Sequence, residues 1–181
     1  MVQEPPRTLK DLVDHVGRYP EEAFLFVREA LSRTAEQLHG PETDAHRTLQ
    51  QYLLRNNLDW PELIAAYHSG KIPDAVVEAI EVDGGIDRLD RHVNGRALCW
   101  GIRDYAMDRW GMLARVVLES WNIRQTLDFG RIVFGFIDLD MMRKQDSDAL
   151  DDFAEVFSFT DAFDRQFRIG GTQPQSNPSE Q

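Results

Sequence analysis

The chain has 181 residues, 42% of them hydrophobic and 10% aromatic, so it is long enough to bury a sizeable core and too apolar to be disordered. Lys and Arg total 20 against 31 Asp and Glu, a net charge of −11, which argues against the phosphate neutralisation that drives nucleic-acid binding and against an anionic membrane surface. A single cysteine excludes an intramolecular disulfide and fits a reducing, cytoplasmic compartment.

The first residues, MVQEPPRTLKDLVDHV, lack the charged-then-apolar layout of a signal peptide. No apolar run approaches the ~18 residues of a membrane helix. A short helix is expected over 7–17. The stretch RYPEEAFLFVREALSRTAEQLHG then predicts a longer one. Pro20 suits its first turn, Glu21 and Glu22 suit its positive end, and Gly40 suits its stop. Phe24, Val27, Leu31, Ala35 and Leu38 recur at helical spacing on one face. Three short helices follow in DAHRTLQQYLLRNN, DWPELIAAYHSGK and PDAVVEAIEVDGG. Asp59 is a candidate cap, and Gly70, Gly84 and Gly85 are stops. Most of the net negative charge falls in residues 1–91.

Beyond residue 91, Asn94 can cap a helix over about 95–109, which Gly111 breaks. A helix over about 112–121 ends at WNI, with Asn122 left-handed. Thr126 is expected to cap the next helix, whose apolar positions are Phe129, Ile132, Val133, Phe136 and Ile137. Gly130 and Gly135 within it suggest close helix packing. Segments near 141–145 and 153–159 are candidate strands of one small hairpin. Three helices and then a hairpin is the order of a winged helix. The expected fold is therefore mainly α. A helical N-terminal region, 1–91, packs on a winged-helix-like module over 92–167, and a Gly-, Pro- and Ser-rich tail over 168–181 is disordered, the whole forming one compact domain.

The stretch CWGIRDYAMDRWG, 99–111, concentrates aromatic and charged residues. Placed on one wheel at about 100° per residue, residues 98–117 put Leu98, Ile102, Tyr105, Ala106, Trp110, Leu113, Val116 and Val117 in one arc. Asp104, Asp108 and Arg115 fall opposite, and Trp100 and Met107 lie on a flank where Trp100 can seat a partner. Arg109 falls inside the apolar arc. Its place in the last turn suits a cation facing the negative helix end, and a buried ion-pair or ligand anchor is the alternative. Largely buried positions are expected at Phe24, Val27, Leu31, Leu98, Ile102, Leu113, Val116, Val117, Phe129, Ile132, Val133 and Phe136.

The sequence contains no dinucleotide, phosphate-loop, nucleophile-elbow or zincin motif. Five scattered histidines and one cysteine make no metal set, and no cofactor site emerges. Cys99 with His92 is the one candidate nucleophile pair, set against Cys99 acting as a small buried hydrophobe. Asp146, Asp148, Asp151 and Asp152 cluster in the expected wing. They read either as a docking surface for a basic partner, as a loose calcium loop, or as a solvated turn without the glycine and distal glutamate of an EF-hand.

The stretches HVNGRALCWGIRDYA, RWGMLARVVLESWNI, TLDFGRIVFGFID, DDFAEVFSF and YPEEAFLFVREAL resemble a bacterial family with no assigned activity, the planctomycete–verrucomicrobial conserved hypothetical proteins. The resemblance covers about 20–38 and 92–163, with 41–91 longer and less typical. It implies a soluble bacterial protein and supplies no site residues.

Three functions compete at this point. The first is a non-enzymatic protein-interaction or regulatory module of the cytoplasm, with Trp100, Arg109 and the four wing aspartates as candidate partner-binding residues. The second is a winged-helix DNA regulator, which Asp128, Asp138 and Asp140 on the third helix oppose, Arg131, Arg143 and Lys144 being too few to offset them. The third is an enzyme of unrecognised type, which needs a pocket around Arg109, Tyr105 and His92.

Overall fold

The computed structural model describes residues 8–89, 91–145 and 147–164, apart from the side chain of Asp87. Asp146 and the tail expected over 168–181 lie outside the described residues. Eight α-helices are present among these residues: α1 (Leu9–Val16), α2 (Glu21–His39), α3 (Asp44–Asn56), α4 (Trp60–His68), α5 (Asp74–Val82), α6 (Gly95–Trp110), α7 (Ala114–Ser120) and α8 (Thr126–Asp138).

Local chemistry sets most of their ends. Thr8 and Asp11 form a reciprocal capping box on α1, and Asp59 and Glu62 form another on α4. Asn94 accepts the Ala97 N–H at 2.9 Å and starts α6. Asn57 and Asn122 take left-handed φ values of 52° and 61° after α3 and α7, where a short polar side chain tolerates that backbone. The start of α8 departs from the sequence expectation. Thr126 is its first helical residue and is buried, its hydroxyl accepting the Val156 N–H at 3.2 Å. The capping carboxylate is Asp128, which accepts the N–H groups of Arg124 and Gln125 at 2.9 and 3.2 Å.

Two separate apolar clusters form. The larger joins α1 and α2 to α6, α7, α8 and the aromatic residues Phe153, Phe159 and Phe163. Its helices approach closely where side chains are small. A Cβ on Gly101 would lie 1.9 Å from the Thr34 hydroxyl, and one on Gly135 would lie 2.5 Å from Val16. Gly130 sits equally tightly under Phe153. The smaller cluster consists of Leu49, Leu53, Leu63, Val76, Ile80 and Leu89, drawn from α3, α4, α5 and the chain just after them.

Two sequence expectations fail here. No strand occurs among the described residues, so the hairpin expected at 141–145 and 153–159 is absent from them. The alternating aromatics that suggested a strand form a plug instead. Phe157, Phe159 and Phe163 pack on one another, Phe159 stacks on Phe129 at 5.8 Å, and Phe153 seals Gly95 and Gly130. Leu113 and Val116 are not buried but 63% and 61% exposed. A single wheel through 98–117 assumes continuous helix phase. Gly111, at φ 53°, and the 3₁₀ turn Gly111–Leu113 reset it, so Ala114 and Leu118 take the core positions of α7. Leu31, Val117 and Val133 are half-buried, and the other expected core residues are buried.

Among the described residues, no helix is long and apolar enough to cross a membrane.

Candidate functional site

A cleft of about 1380 Å³ opens between the two clusters. One wall comes from the second half of α2 (Leu31, Ala35, Glu36), the other from α3 and the start of α4 (His46, Arg47, Leu53, Leu54, Asp59, Trp60). The end of α8 (Val133, Phe134, Ile137) and the chain over 140–153 close it. The floor is apolar and adaptable: Met141, Met142, Phe134 and Ile137 are only partly covered, and Leu54 is 70% exposed.

The polar groups of the walls are held unevenly. His46 lies 2.8 Å from Asp83 with both side chains almost buried, and Trp60 stacks on the imidazole at 4.9 Å. Thr43, the α3 cap, donates its hydroxyl to the same carboxylate. His92 meets Asp148 at 2.9 Å. The cations are also engaged by the protein itself. Arg47 is paired with Asp44 and Glu42, Arg91 donates to the carbonyls of Gly40 and Pro41, and Arg143 donates to the Leu58 carbonyl. Two carboxylates are exceptions. Glu36 and Asp140 are exposed and have no side-chain partner among the described residues.

The structure separates the six residues singled out in the sequence. Asp148 and Asp152 line the cleft. Asp151 is exposed elsewhere, and Asp146 lies outside the described residues. Trp100 is not part of the cleft lining. It is 38% exposed, in a tilted contact with Phe157 at 4.7 Å and covered by the Arg103 guanidinium at 5.1 Å. Arg109 is a half-exposed helix-end cation rather than a buried anchor, pairing with Glu29 at 3.1 Å and donating to the Tyr105 hydroxyl at 2.8 Å. The enzyme reading asked for Arg109, Tyr105 and His92 around one pocket, and only His92 reaches this one.

The buried groups with displaced pKa values, Tyr19, Cys99 and Asp128, lie in the main core, outside the cleft lining. Burial pushes the Cys99 thiol up to about 12, so Cys99 is an inert packing residue and not a nucleophile for His92. Asp128 is fully buried. Burial alone would raise its pKa. The Arg124 N–H, the Tyr19 hydroxyl at 2.8 Å, the Arg131 guanidinium at 2.7 Å and the nearby Arg18 charge outweigh that and hold it below the usual carboxylate range. Burial and then the Asp128 contact push the Tyr19 phenol up.

This corrects the expected role of Asp128 as a surface charge repelling DNA. Its carboxylate ties the α1–α2 turn to the start of α8. The position of α8 matters equally: of its residues only Asp138 is exposed. Central α8 is packed by α1, α2 and Phe153, and its partly covered side chains Val133, Phe134 and Ile137 line the cleft. Among the described residues, no group of three or more His, Cys, Asp or Glu side chains is placed to hold a metal ion.

The chain matches no protein-family model, and neither a curated protein nor a solved structure is significantly similar to it.

Sequence reasoning missed the cleft residues Glu36, Leu54, Asp140, Met141 and Met142. Met141 and Met142 were assigned to a strand, and Leu54 reads as one more apolar residue of a short helix. The one usable signal was the MM pair just past a helix end, an apolar doublet with no cap or stop to explain it.

Proposed function

We propose that the protein is a non-enzymatic interaction module of the cytoplasm and that the cleft between its two cores is the docking surface. The occupant is a protein segment that lays apolar side chains on the floor and offers Lys or Arg to Glu36 and Asp140. The observation that carries this reading is the pairing of a partly uncovered Met141, Met142, Phe134 and Leu54 floor with two unpartnered carboxylates. Flexible methionines accept varied apolar shapes. The cations of the walls already donate to the protein's own acceptors, so the open valences are acidic. The net charge of −11 adds long-range attraction for a basic partner. The order α6, α7, α8 supports the winged-helix comparison only as a helix arrangement, with α8 used for packing and not for reading bases.

Photo-cross-linkers placed at Leu54 and Met142, and at Leu38 and Val82 on other faces, test the assignment in living cells. The expected result is one shared, identified protein adduct from both cleft positions and from neither control. Adducts from the controls alone, or none from the cleft, would overturn it. Titration of a labelled duplex at about 50 mM salt tests the competing regulator reading. Micromolar or tighter binding would restore that reading.

A further inference from the structure

We propose that the segment held in the cleft is an amphipathic α-helix of about three turns, with an apolar stripe on the floor and Lys or Arg beside that stripe. This rests on the cleft being a docking surface and adds the conformation and pattern of what docks there.

The conformation follows from backbone hydrogen bonding. A segment entering an apolar site must satisfy its N–H and C=O groups, either on its host or within itself. This host gives it little to bond. No strand occurs among the described residues, so no sheet edge is presented by them. The walls come from α2, α3, α4 and α8, whose backbone groups bond along their own helices. The starts of α3 and α4 are capped, Thr43 accepting the His46 N–H and Asp59 the Glu62 N–H. The chain after α8 is also engaged. The N–H groups of Asp140, Met141 and Met142 return to the Phe136 and Ile137 carbonyls, and those of Gln145, Asp148 and Ala149 bond within the loop. An extended segment laid here would bury backbone groups without partners. A helix pairs its own and brings only side chains to the floor.

The lining sets size and chemistry. A helix about 10 Å across that rises about 1.5 Å per residue fills roughly 120 Å³ per residue. The cleft volume of about 1380 Å³ therefore takes about a dozen residues. Met141, Met142, Phe134, Ile137 and Leu54 form an adaptable floor for a row of apolar side chains at helical spacing. Glu36 and Asp140 are exposed, with no side-chain partner among the described residues, so the cations of the docked helix belong beside its stripe. Asp140 holds a left-handed φ of 55°. Asn or Gly serves such a turn equally well, but neither pairs with a cation.

Fluorescence anisotropy of labelled synthetic peptides with the full chain tests this, at about 150 mM salt to screen the net charge. The first peptide has about 14 residues of Leu, Lys and Ala, with Leu at i, i+3, i+4 and i+7. The second has the same composition with Leu at alternate positions. The third is the first with one central Ala replaced by Pro, which breaks the helix. The first should bind and become helical by circular dichroism, and the other two should bind at least about tenfold more weakly at equal charge. Leu54→Gln and Met142→Gln should each weaken binding of the first at least about tenfold. Glu36→Gln combined with Asp140→Asn should weaken it about tenfold, with the left-handed turn kept. Val82→Gln should leave it unchanged. If the alternating or the Pro peptide binds as tightly as the first, and Leu54→Gln weakens that binding, the helical occupant is overturned and docking in the cleft stands. Binding of none of the three, or binding that both Leu54→Gln and Met142→Gln leave intact, also overturns the helical occupant. Cross-linking from Leu54 and Met142 then decides separately whether the cleft docks a segment at all.

Discussion

The two cores solve the same problem with different means. The cluster of α3, α4 and α5 is six buried apolar residues, closed by the Asp59–Glu62 capping box, the Asn57 stop and one almost buried His46–Asp83 pair. The cluster of α1, α2, α6, α7 and α8 is larger and adds crossed aromatic rings and a fully buried carboxylate with four hydrogen-bond donors. The difference teaches that the small unit is held by local sequence signals, whereas the large one depends on polar and apolar partners far apart in the chain. Tyr19 and Asp128, 109 positions apart, are the clearest case.

Removing the distant pin should produce the largest effect. Asp128→Ala leaves Tyr19 and two backbone N–H groups without an acceptor inside the protein, and should cost roughly 3–5 kcal/mol in urea unfolding. The same residue gives the main core an acid sensitivity. Its folded carboxyl titrates below the unfolded one, so its contribution is complete above about pH 4 and is lost as pH falls through the folded value. Asp128→Asn should accordingly lose less stability than the parent chain between neutral pH and about pH 3. An equal loss in both would assign the acid sensitivity to other carboxylates.

Next in size are two apolar truncations that set the cores against each other. Ile80→Ala and Ile132→Ala should each cost roughly 2–5 kcal/mol, since both side chains are fully buried. Hydrogen exchange distinguishes their reach. Ile80→Ala should deprotect the amides of α3 and α5 and leave those of α6 and α8 protected. Ile132→Ala should raise exchange throughout the main core. Uniform deprotection by Ile80→Ala would mean that the two clusters unfold as one.

The smallest effect belongs to the boundary. Asp148→Asn loosens the partly exposed contact with His92 at the cleft and should change the unfolding midpoint by no more than about 1 kcal/mol. A larger loss would make that contact a structural tie between the cores.

The helices were legible in the sequence because caps, stops and apolar spacing act within a few residues. Asp59, Asn94, Gly40 and Asn122 all mark ends where the sequence places them. Two kinds of information were not local. The phase change at Gly111 depends on the rotation of α7, which exposes Leu113 instead of Leu118. The plug of Phe153, Phe159 and Phe163 depends on glycines in α6 and α8 that leave room for rings. Of the candidate site, Asp148 and Asp152 were foreseen as charges. The cleft between them and α3 was not, because its walls come from chain segments separated by both cores.

The Arg91 guanidinium reaches the Gly40 carbonyl at 2.5 Å, across 51 positions of chain, and the His39 ring lies 3.1 Å from the His92 carbonyl. The excursion carrying α3, α4 and α5 thus leaves and re-enters at nearly one point. For the larger core it is a closed loop, and a flexible loop's closure entropy grows only by about 0.6 kcal/mol per doubling of length. Lengthening, trimming or exchanging that excursion therefore costs the rest of the molecule little. Evolution and protein engineering are free to alter one jaw of the cleft, and with it the choice of what is held there, without redesigning the other.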